Sequence, residues 1–197
     1  MKYWFLIAIS LCWTTAWGDS RAALSDLLAN HDNLVAGFEQ EIRGGRNEVL
    51  ERSTGRMLLK RPLFRWEIDT PYPQMLVADG ETLKIYDPDL EQLMVRTLDA
   101  ALDHTPLAVL TRHDVVLAEN YDIAEEDGSY ILRPKATDAL FAEVTLGFED
   151  GILSALTIRD HLGQVTFIRF NRVQTGAVLQ STDFVLDVPP GTDVIEG

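Results

Sequence analysis

The chain has 197 residues, 46% of them hydrophobic, with 17 basic against 31 acidic side chains and a formal net charge of −14. Its length suits one ordinary domain with a sizeable core. Its charge repels phosphate backbones and anionic lipid surfaces, which argues against nucleic-acid binding.

Lys2, the apolar run from Tyr3 to Leu11 and the small-x-small triplet Ala16-Trp17-Gly18 read as an exported leader. The run is too short to span a bilayer. Residues 1–18 are therefore expected to be a cleavable signal peptide, with Asp19 the first mature residue and 19–197 one domain. Cys12, the one cysteine, lies inside that leader. The mature chain then has no thiol or disulfide, which suits the periplasm. Lipidation of Cys12 is the alternative, and Leu11, where a small residue is expected, argues against it.

Leu24, Leu27 and Leu28 fall at helical spacing and predict a short amphipathic helix over Ser20 to His31. From Leu34 the period becomes two, with Ala36, Phe38, Gln40 and Ile42 on one face up to a turn at Gly44-Gly45-Arg46-Asn47. The segment from Met57 to Asp69 then reads as two strands joined at Pro62. Phe64, Trp66 and Ile68 share one face, and Met57 and Leu59 are in phase with Arg61. An arginine ending an apolar strand face needs a partner, and helix-end carbonyls, which lack intrahelical donors, are one candidate. Met75 and Val77, Leu83 and Ile85, and Leu93 and Val95 continue the alternation through turns at Asp79-Gly80 and Asp87-Pro88-Asp89.

Thr105-Pro106 breaks the pattern as an N-cap with proline at the first helical position, and Leu107, Val109 and Leu110 predict a helix of about two turns ending near Arg112. Strands resume with Tyr130 and Leu132, then Ala142 to Phe148, a turn at Asp150-Gly151, Leu156 and Ile158, a turn at His161-Leu162-Gly163, Ile168 and Phe170. A last strand is expected over Phe184, Leu186 and Val188. About ten or eleven short strands at hairpin spacing imply an antiparallel sheet curled towards a barrel. The expected fold class is mainly β with short helices (α+β).

No catalytic constellation emerges. His31, His104, His113 and His161 show no metal-ligand spacing and are read as surface or loop residues. Ser129 and Ser181 lack a nucleophile-elbow context. Asp87-x-Asp89-x-Glu91 is a solvated turn rather than a calcium loop, since Pro88 intervenes and the central glycine is missing. No catalytic residue, metal or cofactor is expected. What remains is the apolar sheet face. Leu24, Leu27 and Leu28 on one helix and Leu107 and Leu110 on the other either close an ordinary core or form a lid over a ligand cavity, latched by Arg61.

Taken together, Phe38-Glu39-Gln40, Gly55 through Arg61-Pro62, Phe64-Arg65-Trp66, Leu76 to Gly80, Tyr86 to Gln92, Thr105-Pro106, Leu132 to Lys135, Asp160-x-x-Gly163-Gln164 and Phe184-x-x-Asp187-Val188-Pro189-Pro190-Gly191 resemble the LolA family of periplasmic lipoprotein carriers, in family order over essentially the whole mature chain. The resemblance implies an incomplete antiparallel β-barrel covered by a helical lid. It further implies a monomeric chaperone that shields the acyl chains of outer-membrane lipoproteins. Such a chaperone carries them from an inner-membrane ABC complex of the LolCDE type to an outer-membrane receptor of the LolB type. Arg61 falls at the family's lid-contacting arginine, and Leu28, Phe64, Trp66, Leu110 and Leu156 at cavity- or lid-lining positions. Two positions depart from the pattern: Pro62 runs straight into Leu63, where the family has one more residue between, and Lys84 replaces an aromatic residue. Rival expectations are a carrier or sensor of another amphiphile such as a glycolipid, an envelope hydrolase, or the receptor itself.

Overall fold

The computed structural model describes residues 17–97, 106–111, 117 and 119–196. The expected leader, including Cys12, lies outside them except for its last two residues, as do Thr105, Arg112, His104 and His113. Helix α1 spans Trp17–Ala29, starting three residues before the sequence-based expectation and ending two before it. Strands β1 (Asn33–Arg43), β2 (Val49–Lys60), β3 (Leu63–Thr70), β4 (Gln74–Ala78), β5 (Thr82–Asp87) and β6 (Gln92–Thr97) follow. Next come helix α2 (Pro106–Thr111), β7 (Tyr121–Glu126), β8 (Ser129–Pro134), β9 (Glu143–Glu149), β10 (Ile152–Arg159), β11 (Val165–Thr175) and β12 (Asp193–Glu196).

These strands form one sheet in the order β12-β6-β5-β4-β3-β2-β1-β11-β10-β9-β8-β7. Every pairing is antiparallel except β12 with β6. Consecutive hairpins run in both directions from β1, and β11 returns to β1 to join the two halves. The edges β12 and β7 do not meet, so the barrel is incomplete. The hairpin turns follow their sequence signals. Asp150-Gly151 and Asp127-Gly128 both take positive φ at two successive residues (52° and 77°; 50° and 77°), the combination that matches strand twist. The Asp127-Gly128 turn creates β7, which the alternation from Tyr130 onward leaves unassigned.

One apolar cluster fills the concave face. Leu34, Ala36 and Phe38 of β1, Met57 and Leu59 of β2, Phe64 of β3, Leu146 of β9, Leu156 of β10 and Ile168 and Phe170 of β11 join Leu24 and Leu28 of α1 and Val109 and Leu110 of α2. Burying side chains of this size contributes about 1.5–3 kcal/mol each, which is why a sheet with this alternation retains its helices. Gly55 leaves room on β2 for its cross-strand neighbours on β1 and β3. A Cβ there would fall onto the Glu67 carbonyl oxygen and within 2.6 Å of the Phe38 ring.

The C-terminal segment departs from expectation. Residues Ser181–Phe184 form a 3-10 turn, 185–188 are not in a strand, and the final strand is β12. The cause is the other face of the sheet. Arg65 points away from Trp66 and donates to the carbonyls of Asp183 (3.0 Å) and Val185 (2.9 Å), and Lys60 donates to Leu179 O at 2.8 Å. The segment therefore crosses the convex face of β3 instead of pairing with an edge. Val77, Tyr86 and Phe184 are buried there, outside the concave cluster. Val77 and Met75, read as the apolar phase of β4, thus face outward, and Leu76 and Ala78 face in.

Candidate functional site: a lidded apolar face

The β2–β3 hairpin places Arg61 at the rim of the concave face, in phase with Met57 and Leu59. Its Nε donates to Leu110 O of α2 at 2.9 Å. Its Nη1 donates to Leu28 O of α1 at 2.8 Å and to Asp32 Oδ1 at 2.6 Å. The side chain is only 5% exposed, whereas that of Asp32 is 54% exposed. Asp32 belongs to the body rather than the helices, because it runs directly into β1 and its carbonyl accepts from Arg61 N at 3.1 Å. The short link between Pro62 and Leu63 does not turn the guanidinium away from the helices.

Both carbonyls contacted in the helices come from their final turns, and Leu28 O, which also accepts from His31 N at 2.9 Å, offers Arg61 its second lone pair. A hydrogen bond from a charged donor contributes about 1.5–3 kcal/mol net. One cation therefore ties two helices, far apart in sequence, to the same point of the sheet.

Beneath that point lies an aromatic floor. Phe38 and Trp66 stack with centroids 3.8 Å apart and planes 16° from parallel; Phe64 lies 6.2 Å from Trp66, and Phe170 meets Trp66 edge-on at 6.4 Å. Leu24, Leu28, Phe64, Leu110 and Leu156 are all buried in the same cluster, and half-buried Trp66 packs against it. The structure thus brings Leu24, Leu28, Phe64, Trp66, Leu110 and Leu156 into one cluster beneath Arg61. The side chain of Leu107 lies outside the described residues. Lys84, the other departure from the family pattern, faces the opposite side, with Nζ 3.9 Å from Asp79 Oδ2.

Sequence reasoning missed Asp32 and misplaced His31. His31 is not a surface residue: it is 2% exposed. Its Nδ1 bonds Leu27 O at 2.6 Å, and its Nε2 accepts from Leu153 N at 3.1 Å. With Nε2 accepting from a main-chain N–H, Nδ1 is the nitrogen placed to donate to Leu27 O. His31 pins the end of α1 to β10, beside the Arg61 contacts. Its position two residues after the apolar run Leu27-Leu28-Ala29 was the available signal. His161 does fit its loop assignment, bonding Ala139 O at 2.9 Å.

The convex face is chemically different. Glu67 is 4% exposed yet charged, paired with Arg56 and with Arg65, whose Nη2 lies 2.5 Å from Oε1. Burial works to raise its pKa, but hydrogen bonds from Arg56 and Arg65 outweigh that and hold the carboxyl below its ordinary value. An open depression of about 620 Å³ lies between β2, β1, β11 and β10, lined mainly by outward-phase residues such as Glu39, Glu41, Arg43, Arg52 and Arg169. Among the described residues, no group of three or more metal-ligating side chains occurs, and no helix is long and apolar enough to cross a membrane.

Comparison with known proteins adds sequence and fold relationships. Residues 29–187 match the family described as "Outer membrane lipoprotein carrier protein LolA". The chain is 39% identical over 198 residues to an outer-membrane lipoprotein carrier protein of Azotobacter vinelandii, covering 97% of this chain and 96% of the relative. It is 36% identical over 200 residues to one of Pseudomonas paraeruginosa, with 98% and 96% covered. Among solved structures, a LolA-superfamily protein of Nitrosomonas europaea shares the fold with a TM-score of 0.52 at 11% identity, over 82% of this chain and 96% of that one. An uncharacterised conserved protein of Thermus thermophilus does so with a TM-score of 0.54 at 14% identity, over 90% and 98%. The order of the motifs, the open barrel and the relatives' full-length identity agree: this chain belongs to the outer membrane lipoprotein carrier protein LolA family.

Proposed function

We propose that this protein is a periplasmic chaperone that carries outer-membrane lipoproteins with their acyl chains held against the concave face. The observation that carries the proposal is the closure of that face by two helices whose last-turn carbonyls converge on one guanidinium. A permanent core has no use for a charged group at its rim, since apolar packing of the same volume is often as stable. A cover that must lift does, because hydrogen bonds to one guanidinium are strong enough to hold helices and few enough to break.

The physical need is plain. Each buried CH₂ contributes about 0.8 kcal/mol, so exposing several acyl chains to water costs tens of kcal/mol. Cargo and lid leucines compete for the same surface, which keeps affinity modest and permits hand-off without nucleotide. Without Lys2 the carrier has 16 basic against 31 acidic side chains, and a net −15 discourages adhesion to anionic bilayers while it diffuses loaded. We place cleavage after Gly18, which removes only the first two residues of α1. A LolCDE-type complex then loads the monomeric carrier, and a LolB-type receptor unloads it. It is not an enzyme. Nothing favours a glycolipid as cargo.

The test is uptake of an environment-sensitive acyl probe by the exported protein, followed by displacement with purified triacylated lipoprotein and transfer to receptor. Absence of probe binding in a folded sample overturns the proposal and favours a permanent core.

A further inference from the structure

Arg61 carries more donors than the closed lid uses. A guanidinium has five N–H bonds on three nitrogens. Nε serves Leu110 O, and Nη1 serves Leu28 O and Asp32 Oδ1. Nη2 is sealed from solvent and has no acceptor among the described residues. Buried donors are almost always paired, and an exception calls for a reason. Its apolar neighbours along the strand face, Met57, Leu59 and Phe64, offer no side-chain oxygen.

Lifting the lid makes the deficit larger. The carbonyls of Leu28 and Leu110 depart with α1 and α2, whereas Asp32 stays, being continuous with β1. The guanidinium is then left with one of its three acceptors, at the rim of an apolar surface. Alkyl chains bring no acceptor to that surface. The oxygens that arrive with an acyl chain are the ester or amide carbonyls at its head.

Resting on the carrier function proposed above, we propose that Arg61 is itself a cargo-binding residue. Its guanidinium exchanges lid carbonyls for the ester or amide carbonyl oxygens at the head of the acyl chains, and Nη2 is the donor held ready for them. Opening and loading are then coupled at one cation. The acyl head is anchored at the rim, and the chain runs inward over Phe64, Trp66 and Phe38. The site selects acyl over plain alkyl chains, a distinction that the apolar face alone has no means to make.

The experiment compares two fluorescent lipids of equal chain length and identical headgroup, one a diacyl ester and the other its dialkyl ether, which lacks both carbonyls. The wild-type protein should bind the ester about tenfold more tightly, the worth of one charged hydrogen bond. Arg61→Leu should bind both equally, and Asp32→Asn should keep the preference. Equal binding of both lipids by the wild type overturns the anchor and leaves the carrier function standing. Binding of neither overturns the carrier function. A preference that survives in Arg61→Leu assigns discrimination elsewhere and also overturns the anchor. The wild-type comparison needs no variant, so a poorly folding mutant does not decide the matter.

Discussion

Replacing Arg61 by leucine removes both ties to the lid in one step. The bonds to Leu28 O and Leu110 O each contribute about 1.5–3 kcal/mol to the closed form, so their loss shifts the closed–open equilibrium by about 3–6 kcal/mol. The pair with half-exposed Asp32 adds little, since solvent screens it and it joins body to body. At about 1.4 kcal/mol per decade, the closed form loses a factor of 10² or more. The apparent affinity for an occupant of the open form is reduced by the fraction of protein that is closed. A dialkyl ether probe, which offers Arg61 no carbonyl, should therefore bind Arg61→Leu at least tenfold more tightly than wild type and leave more slowly in a stopped-flow chase. Hand-off to the receptor should slow accordingly. Unchanged ether affinity and unchanged transfer, in a mutant with intact circular dichroism and melting temperature, would show that these bonds do not hold the lid.

Three further outcomes follow from other parts of the structure. Gly55→Ala should destabilise the fold by about 2 kcal/mol or more in urea titration, because the new methyl meets backbone oxygen at Glu67 and not a side chain able to swing away. His31→Leu should cost about 1–3 kcal/mol by leaving the buried Leu153 N–H without an acceptor, and hydrogen exchange at that amide should speed up. Glu67 has a folded pKa below its unfolded value, so its ion pairs stabilise the protein above the unfolded pKa, about 4.3, and that contribution disappears as pH falls through the folded pKa. Glu67→Gln should flatten the acid limb of a stability–pH curve, and an unchanged limb would remove this cluster from the account of acid unfolding.

What could be read in the sequence was whatever depends on near neighbours. The period of two put Phe64 and Trp66 on one face and Arg61 in phase with Met57 and Leu59, because alternation is a property of the strand itself. Aspartate–glycine pairs marked their turns because few residues tolerate positive φ. The same logic misled where a strand face is covered from both sides. Met75 and Val77 belong to the convex phase of β4, beside the strand that the C-terminal segment crosses, and no local pattern distinguishes an apolar convex phase from a concave core. The stretch from Phe184 to Val188 alternates like a strand, but its backbone is held by Arg65, more than a hundred residues away.

The composition and periodicity of this chain determined an acidic, sheet-rich protein with an apolar face, two short helices to set against it and an arginine at its rim. Only the tertiary structure decided what the arginine holds. Its partners in the lid are the main-chain carbonyls of Leu28 and Leu110, 33 and 49 residues distant, and a carbonyl is present at every residue whatever its side chain. Which of them faces a guanidinium depends on where helices end in space, and so does the guanidinium nitrogen left unmet among the described residues.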